Sequence, residues 1–400
     1  MENQFPEEKF STQYRNIPVS FVRSILNAIG QQKMISFAGG LPNPSLFPVG
    51  ELAESTRAVM AAHGGTVLQY AGSMGYYPLR EWIANRYSAK YGMSITPEMV
   101  LITNGSQQAI DVISKLFINP GDGVILEKPS YLGAIQAMSA YLPDFREVDL
   151  EEDGANLAQI EELFLDEDIK LMYAVTNAQN PSGISYSAEK RKDLAMLLRK
   201  YNQFLLEDDP YNEICFDGEF PAPVKKFAPD HVAWTGSFSK MVAPGLRNGW
   251  VVLPPALVPH FDKVKQATDL HPNNLTQYVL HHYLVHNDLD EHLQRIRTKY
   301  AGMAECMVEM LKRYLPDEVH ITQPTGGMFI WLTLPEGLRA DELIHRTMER
   351  GVIFVPGNSF YTKGQGSNHI RLNFTNAEPD DIQKGVAIMA EEMKKLLCAV

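Results

Sequence analysis

The chain has few cysteines, and they lie far apart. Cys215, Cys306 and Cys398 are the three cysteines among 400 residues, and none belongs to a C-x-x-C pair or to a cysteine–histidine cluster. Three isolated cysteines do not build a disulfide framework, and a structural zinc site needs closely spaced ligands. The sequence therefore predicts neither a disulfide-stabilised fold nor a metal site.

An excess of positive charge is also missing. The sequence has 36 Lys and Arg against 48 Asp and Glu, which gives a formal net charge of −12. Nucleic acids and anionic membranes bind proteins through a basic face. We therefore expect neither as a main partner, and any anionic ligand must be held by individually placed cations.

Several sequence signatures are absent. No run approaches the ~18 apolar residues of a membrane span, and the polar, acidic first 16 residues do not resemble a secretion signal, so we expect a cytoplasmic protein. No G-x-G-x-x-G follows a predicted strand, and no G-x-x-x-x-G-K is present. These absences disfavour a nicotinamide-dependent dehydrogenase and a P-loop enzyme.

Short apolar strands alternate with helices from Val100 onward. This pattern predicts a three-layer α/β domain whose mostly parallel sheet is covered on both faces. The predicted strands are 100–103, 123–127, 169–176, 204–208 and 231–236, and the predicted helices are 106–118, 131–141 and 187–201. Ligands of such sheets bind at the carboxyl ends of the strands.

The remaining segments predict a smaller α+β domain formed by the two chain ends. We expect residues 1–48 to form an arm and a cover for the active site, with a helix from Pro18 to Ile29. Residues 49–287 would form the large domain and residues 288–400 the small one, the latter beginning with a long helix from Asp288 to Leu315. Its predicted strands are 319–323, 328–334, 352–356 and 369–374, and its further helices are 340–350 and 379–397.

One lysine stands in unusual surroundings. Lys240 ends the motif Thr-Gly-Ser-Phe-Ser-Lys at 235–240, and Arg247 follows seven residues later, after Pro244–Gly245. Small residues let the backbone approach a ligand, and hydroxyls with a guanidinium suit a phosphate. A lysine held in a partly dry pocket can serve as a Schiff-base amine, although most lysines are solvated surface charges.

Four further motifs lie at or beside strands. Thr-Asn-Gly-Ser-Gln-Gln at 103–108 opens a helix, whose free N–H groups suit a phosphate. Asn180 lies in an Asn-Pro-Ser-Gly turn after a strand, Asp208 and Tyr211 follow another strand, and Arg371 lies within an apolar one. Buried charges need a partner, so Arg371 requires a carboxylate from the protein or from a substrate. Each motif also has an ordinary structural explanation, namely a capped helix, a turn, a surface loop or a salt bridge.

Together, the five motifs indicate one cofactor chemistry. A phosphate cradle, a carboxylate facing a ring, a donor to a ring oxygen, a Schiff-base lysine and a carboxylate-binding arginine fit pyridoxal phosphate acting on an α-amino acid. Over essentially its whole length the chain resembles the fold-type I, class I and II aminotransferases, in the order GSQQ, NPSG, DDPY, SFSK, RNG and RLN. The segments ISFAGGLPNPSLFP, LQYAGSMGYYPLR, GSFSKMVAPGLR and PTGGMFIW resemble the 2-aminoadipate and multi-substrate branch.

The resemblance implies a role for each site residue. Lys240 would carry the cofactor as a Schiff base and then act as the general base, and Asp208 would keep the pyridine nitrogen protonated. Tyr211 and Asn180 would bind the phenolic oxygen, and Arg371 with Asn180 would bind the substrate carboxylate. Sequence alone leaves Asp209 as an alternative to Asp208, although the D-x-x-Y spacing favours Asp208. The remaining implied cofactor contacts are Tyr131, stacked on the ring, and Ser106, Gln107, Ser237, Ser239 and Arg247 around the phosphate.

The resemblance also implies a homodimer with shared active sites. Tyr70 would reach the phosphate of the neighbouring subunit, and Gly40 would form a backbone wall of the substrate pocket. The substrates would be an L-amino acid (2-aminoadipate, aromatic or branched-chain) and a 2-oxo acid such as 2-oxoglutarate. Arg23, in the N-terminal helix, would pair with a distal substrate carboxylate, or else be an ordinary surface arginine. A β-lyase, decarboxylase or racemase on the same fold, or an aminotransferase-like regulator, remain alternatives.

Overall fold

The computed structural model describes residues 6–19 and 34–398, which contain an eight-stranded sheet, a smaller four-stranded sheet and a two-stranded sheet. The predicted helix from Pro18 to Ile29, and Arg23 within it, lie outside the described residues except for Pro18 and Val19. The strands are β1 Ile35–Ser36, β2 Val100–Thr103, β3 Gly123–Lys128, β4 Asp144–Glu151, β5 Gly154–Ala155, β6 Ile169–Ala174, β7 Leu205–Asp208, β8 Val232–Ser237, β9 Gly249–Val252, β10 His320–Ile321, β11 Phe329–Thr333, β12 Val352–Ile353, β13 Val355–Pro356 and β14 His369–Asn373.

Helices connect and cover these strands. They are α1 Thr12–Asn16, α2 Val49–Val67, α3 Tyr77–Tyr91, α4 Ser106–Phe117, α5 Leu132–Ser139, α6 Leu157–Leu163, α7 Ala188–Lys200, α8 Val258–Asp269, α9 Asn274–His286, α10 Leu289–Tyr314, α11 Ala340–Glu349 and α12 Pro379–Leu397. Within the described residues, no helix is long and apolar enough to cross a bilayer. The predicted strands and helices of the described segments are present, with ends that differ by a few residues, except for the predicted strand 352–356. That segment divides into β12, which pairs with β1, and β13, which pairs with β14.

The large sheet has eight strands in the order β2-β9-β8-β7-β6-β3-β4-β5. Strands β8, β7, β6, β3 and β4 run parallel to their neighbours in that series, and the pairs β2–β9, β9–β8 and β4–β5 are antiparallel. The predicted mostly parallel α/β fold is confirmed. The sequence pattern does not predict β4, β5 or β9. Polar residues interrupt β4, β5 has only two residues, and β9 is a four-residue strand that follows closely after a Pro-Gly turn.

The sheet separates two apolar cores. Consecutive residues of a strand point to opposite faces, so Leu205 belongs to one core and Leu206 to the other. Helices α3 and α7 cover the first face, and α4, α5 and α8 cover the second. Because both faces are covered, the central strands β3, β6, β7 and β8 are mostly apolar rather than alternating. Polar side chains are therefore concentrated where the strands end.

The smaller sheet is antiparallel, in the order β10-β11-β14-β13. The N-terminal segment joins this part of the chain, because β1 pairs in parallel with β12. Asn43 anchors the same segment further on: its backbone N–H donates to the Tyr300 hydroxyl at 3.0 Å, and its amide donates to the Thr375 carbonyl at 2.9 Å. Residues 37–42 are thereby held between the two sheets. The domain boundaries at 48/49 and 287/288 remain predictions.

Candidate active site

A cavity of about 580 Å³ lies at the carboxyl ends of the central parallel strands. All but two of the predicted site residues line it, although they come from separate motifs spread over more than three hundred positions. The residues brought together are Gly40, Ser106, Gln107, Tyr131, Asn180, Asp208, Tyr211, Ser237, Ser239, Lys240, Arg247 and Arg371. The two exceptions are Tyr70, which is exposed and packs its ring edge on His271, and Arg23, which lies outside the described residues.

Lys240 reaches the cavity from the turn after β8. Its Nζ atom donates a hydrogen bond to the Gly40 carbonyl at 2.9 Å. Burial lowers the pKa of Lys240 to about 8, and the positive charges of Arg247 and Arg371 act in the same direction. A lower pKa leaves more of the amine neutral near physiological pH, and the neutral amine is the nucleophilic form.

Two consecutive carboxylates stand at the end of β7, but only the first lines the cavity. The Tyr173 hydroxyl donates to Asp208 Oδ2 at 2.8 Å, whereas Asp208 Oδ1 accepts no hydrogen bond of ordinary geometry from the described residues. Asp209 points to the other face, where it accepts hydrogen bonds from Asn177 at 2.7 Å and Trp234 at 3.0 Å. Of the two aspartates, Asp208 is therefore the one that lines the cavity.

Arg371 is a buried cation of the cavity. Its Nη1 atom donates to Asn180 Oδ1 at 3.0 Å, Nη2 donates to the Ala38 carbonyl, and the guanidinium carbon lies 4.3 Å from the Phe329 ring centroid. Burial lowers the pKa of Arg371 to about 10, and no carboxylate of the described residues forms an ion pair with it. Its Nε atom has no hydrogen-bond partner among the described residues. The arrangement suits an anionic ligand.

A second anion-binding region surrounds the first turn of α4. Ser106 begins this helix of 12 residues, so its free N–H groups and positive dipole end point into the cavity. Arg247 lies close beside Gly105: a Cβ atom built on Gly105 would come within 2.6 Å of Arg247 Nη2. The Ser237 hydroxyl donates to Ser239 Oγ at 2.8 Å on the same side. This is the donor set that a phosphate requires.

Tyr131 and Gln107 form another wall. The Tyr131 hydroxyl approaches Gln107 Oε1 at 3.5 Å, and Gln107 Nε2 donates to the Gly133 carbonyl at 2.8 Å. A Cβ atom on Gly133 would lie 2.5 Å from the Tyr131 ring. Glycine at 133 thus leaves room for the aromatic ring. On the facing side, burial raises the pKa of Tyr211, so its hydroxyl stays protonated and can donate.

Sequence reasoning missed several residues of this site. Phe329, Gln136 and Val175 line the cavity, and the Tyr173 hydroxyl donates a hydrogen bond to Asp208. One signal was available for Tyr173, because a tyrosine in an otherwise apolar buried strand needs a partner for its hydroxyl. No sequence signal marked Phe329 or Gln136, since their positions depend on how the smaller sheet and α5 pack against the cavity.

The residues present fit pyridoxal phosphate. The cavity contains an amine of lowered pKa, a buried carboxyl with one oxygen that accepts no hydrogen bond of ordinary geometry, an anion site at a helix N-terminus, and a buried guanidinium that pairs with no carboxylate of the described residues. These groups correspond to the aldehyde, the ring nitrogen and the phosphate of the cofactor, and to the carboxylate of an amino acid.

The comparisons with known proteins agree with this chemistry. Residues 35–388 match the family model of aminotransferase class I and II. The chain is 35% identical to aromatic-amino-acid aminotransferase 1 of Thermococcus litoralis, over 97% of this chain and 95% of the relative. It is 37% identical to 2-aminoadipate transaminase of Thermus thermophilus, over 98% of both chains. It superimposes with a TM-score of 0.91 on the crystal structure of LysN, the α-aminoadipate aminotransferase of Thermus thermophilus complexed with N-(5'-phosphopyridoxyl)-L-leucine, at 37% identity over 98% of this chain and 99% of that one.

The chain belongs to the class I and II aminotransferases. It is a fold-type I enzyme that uses pyridoxal phosphate, and its substrates are amino acids and 2-oxo acids.

Proposed function

We propose that this aminotransferase has a broad substrate range, with glutamate and 2-oxoglutarate as one pair and aromatic, branched-chain or 2-aminoadipate substrates as the other. The observation that carries the proposal is the meeting of Lys240, Asp208 and Arg371 in one cavity, to which Leu41, Leu132 and Phe329 add apolar surface. The relatives support it, since they are named for aromatic amino acids and for 2-aminoadipate.

When bound, pyridoxal phosphate supplies an aldehyde that condenses with amines and a protonated ring that draws electrons away from Cα. We assign the protein groups as follows. Lys240 would hold the cofactor through its amine and would move the proton at the substrate Cα. Asp208 would keep the ring nitrogen protonated, and Tyr211 and Asn180 would donate to the phenolic oxygen. Ser106, Gln107, Ser237, Ser239 and Arg247 would hold the phosphate, and Tyr131 would contact the ring.

Arg371 binds the carboxylate of the amino acid in this proposal. Its buried guanidinium has no acidic partner among the described residues, so a substrate carboxylate would supply the missing charge. Gly40 would form the backbone wall beside it, where its carbonyl accepts a hydrogen bond from Lys240. The substrate is thereby held at its carboxylate, while Lys240 acts on the adjacent carbon.

The described part of the cavity contains no cation for a distal carboxylate. Lys240, Arg247 and Arg371 are its only lysine and arginine residues, and each has a role near the cofactor or the α-carboxylate. Leu41, Leu132 and Phe329 instead offer apolar surface. We therefore propose that this apolar wall contacts the uncharged side chains of substrates. Recognition of dicarboxylic substrates is assigned to Arg23.

Half-reactions monitored by absorbance test whether Arg23 recognises dicarboxylic substrates and the apolar wall recognises uncharged ones. Arg23→Ala is expected to slow dicarboxylic donors by about tenfold or more, as loss of a charge-assisted contact costs roughly 1.5–3 kcal/mol, while aromatic donors react as in the parent enzyme. Arg15→Ala is the matched control, because Arg15 is an exposed arginine of the N-terminal segment that donates only to backbone carbonyls. Unchanged rates for glutamate and 2-aminoadipate with Arg23→Ala would remove Arg23 from substrate recognition.

The enzyme is proposed to act as a homodimer with shared active sites. Tyr70 is 79% exposed and does not line the cavity of its own chain. A second copy could bring Tyr70 to the neighbouring phosphate. Homodimers of Lys240→Ala and homodimers of Tyr70→Ala are each expected to have little activity. A mixed dimer should regain about one functional site, because the chain with an intact Lys240 receives the intact Tyr70 of the other chain. Absence of recovery in a verified mixed dimer would contradict a shared site.

A cytoplasmic location is part of the same proposal. The three cysteines are unpaired, as expected of a protein in a reducing compartment. Cell fractionation with an antibody against the chain would test the location.

The central experiment uses absorbance and product analysis. The apoenzyme is expected to gain a visible absorption band when pyridoxal phosphate is added, and Lys240→Ala should not form the same band. A panel of amino acids with 2-oxoglutarate should then yield glutamate. Formation of pyruvate with ammonia, of amines with carbon dioxide, or of the D-amino acid would instead identify a β-lyase, a decarboxylase or a racemase.

A further inference from the structure

A buried tyrosine contacts the carboxylate proposed to hold the cofactor ring. Tyr173 is fully buried, and its hydroxyl donates to Asp208 Oδ2 at 2.8 Å. It does not line the cavity itself. None of the roles assigned above uses this residue, so its contribution must act through Asp208.

The strand register brings the two side chains together. Tyr173 of β6 pairs with Leu206 of the parallel strand β7, and Asp208 lies two residues further along β7. Two residues advance a strand by about 6.6 Å and return the side chain to the same face. Side chains of strands lean along the strand direction, so the Tyr173 ring spans this distance and its hydroxyl meets the carboxyl at the strand end.

Packing alone does not explain a tyrosine at position 173. Its ring belongs to an apolar core with Leu126, Leu171, Val175 and Leu206, where phenylalanine would fill the same space. A buried hydroxyl is costly unless it forms a hydrogen bond. The hydrogen bond to Asp208 compensates the cost of burying the hydroxyl, so the hydroxyl of Tyr173 acts on the Asp208 carboxyl.

We infer that Tyr173 is a positioning residue that orients the Asp208 carboxyl and favours its ionised form, which leaves Oδ1 for the protonated ring nitrogen of pyridoxal phosphate. The inference rests on the proposed role of Asp208. A fixed O–H donor stabilises a carboxylate more than a carboxylic acid, and Oδ1 accepts no hydrogen bond of ordinary geometry from the described residues. Tyr173 thus donates a hydrogen bond to one oxygen of the carboxyl, and the other oxygen can accept one from the ring N–H of the cofactor.

The electrostatic surroundings make this donor important. Burial raises the pKa of Asp208 to about 7, while the hydroxyls of Tyr173 and Ser106 lower it. The other titratable groups around it are Glu127 at the end of β3, Tyr131 and Tyr211, with Lys240 across the cavity. Burial also raises the pKa of Glu127 to about 7, and the charges of Glu127 and Asp208 repel each other. Without the Tyr173 hydroxyl, Asp208 would hold its proton to a higher pH.

The test measures binding of pyridoxal phosphate to the apoenzyme as a function of pH, by quenching of intrinsic fluorescence. Affinity should fall as the pH drops through the pKa of Asp208, because the neutral acid no longer attracts a ring cation. Tyr173→Phe is expected to shift this fall upward by about one pH unit and to weaken binding about tenfold below pH 7. At higher pH, where Asp208 is ionised in both proteins, the dissociation constant of Tyr173→Phe should approach that of the parent enzyme.

Tyr186→Phe is the matched control. Tyr186 is also buried, and its hydroxyl donates to a different buried carboxyl, Glu127 Oε1, at 2.7 Å. It does not line the cavity. Both variants lose one buried hydroxyl and should lose similar thermal stability, but only Tyr173→Phe should shift the pH profile upward. Without its Tyr186 donor, Glu127 holds its proton to a higher pH and repels Asp208 less. An equal shift in both variants would overturn the inference.

A cofactor analogue that has carbon in place of the ring nitrogen isolates the interaction. With this 1-deaza analogue, the parent enzyme and Tyr173→Phe should bind alike, because the ring has no N–H to pair with Asp208. If Tyr173→Phe folds poorly, site-specific 3,5-difluorotyrosine at 173 retains the shape and strengthens the donor, so the pH profile should move down. A parent enzyme that does not bind the cofactor through Lys240 would refute the proposed function, whereas identical pH profiles of the parent and Tyr173→Phe would refute only this inference.

Discussion

Arg371 and Asn180 are joined by a hydrogen bond of 3.0 Å, although they are 191 positions apart in the sequence. Arg371 lies in β14 of the smaller sheet, and Asn180 follows β6 of the large one. The contact therefore links the proposed carboxylate site to the proposed cofactor site across the two sheets. It also explains how an arginine without an acidic partner is kept in place.

Replacing Arg371 by lysine should impair substrate binding more than cofactor binding. Lysine keeps the charge but cannot bind a carboxylate with two parallel N–H groups, and it loses the stacking of the guanidinium on Phe329. We expect kcat/KM for amino acids to fall roughly 100-fold, as expected for loss of about 3 kcal/mol. Steady-state kinetics measures this fall. An unchanged absorption band after addition of the cofactor is the control, and unchanged kcat/KM would remove Arg371 from the carboxylate site.

The two neighbouring carboxylates should respond differently to neutralisation. Asp208→Asn removes the charge proposed to face the ring nitrogen, and we expect kcat to fall about 100-fold or more. Asp209→Asn disturbs the hydrogen bonds to Asn177 and Trp234 on the other side, so it should cost about 1–3 kcal/mol of stability while cofactor affinity changes little. Kinetics and thermal melting of both variants compare the two roles. The opposite pattern would show that Asp209 is the ring carboxylate.

Gly105→Ala should weaken the phosphate site. Gly105 has a φ of +79°, and a Cβ atom there would press on Arg247 Nη2 at 2.6 Å. We expect cofactor affinity to fall about tenfold or more as Arg247 is displaced, together with a loss of about 1 kcal/mol from backbone strain.

Gly121→Ala is the control for the strain at Gly105. Gly121 also has a positive φ, of +90°, but no heavy atom of the described residues lies within 4 Å of the position that its Cβ would take. The two variants should lose similar stability, and only Gly105→Ala should lose affinity for pyridoxal phosphate in equilibrium titrations. Equal cofactor affinity in both would mean that Arg247 does not contact the phosphate.

Replacing Lys240 by methionine should stabilise the apoenzyme at neutral pH. The pKa of Lys240 falls from 10.5 to about 8 on folding, so folding penalises the charged form below pH 8. This lowering of the pKa corresponds to at most about 3–4 kcal/mol. Between pH 8 and 10.5 the unfolded chain binds more protons than the folded one, so stability of the parent apoenzyme rises with pH and the advantage of Lys240→Met shrinks.

Urea unfolding of the two apoenzymes at pH 7 and pH 10 measures this difference. The variant lacks the hydrogen bond from Lys240 to the Gly40 carbonyl, which reduces the net gain. A stability difference that is the same at both pH values would contradict a lowered pKa for Lys240.

The order of strands and motifs along the chain was sufficient to predict the α/β fold, the cofactor and most of the cavity. Apolar strands that are buried on both faces concentrate polar residues at their ends, so residues such as Asp208 and Asn180 were recognisable by position. The family motifs then specified Lys240 and Arg371. These features depend on local spacing, which a sequence displays directly.

Other features depend on how distant segments pack. The sequence could not choose between Asp208 and Asp209 by environment, because adjacent residues of a strand face opposite sides and the register of β6 against β7 decides which side carries Tyr173. It could not show that Arg371 lacks an acidic partner, because that depends on which carboxylates the fold brings near. The sequence by itself determined which chemical groups are present, and the tertiary structure decided which of them are buried together, where burial shifts their pKa values and leaves specific atoms free for a ligand.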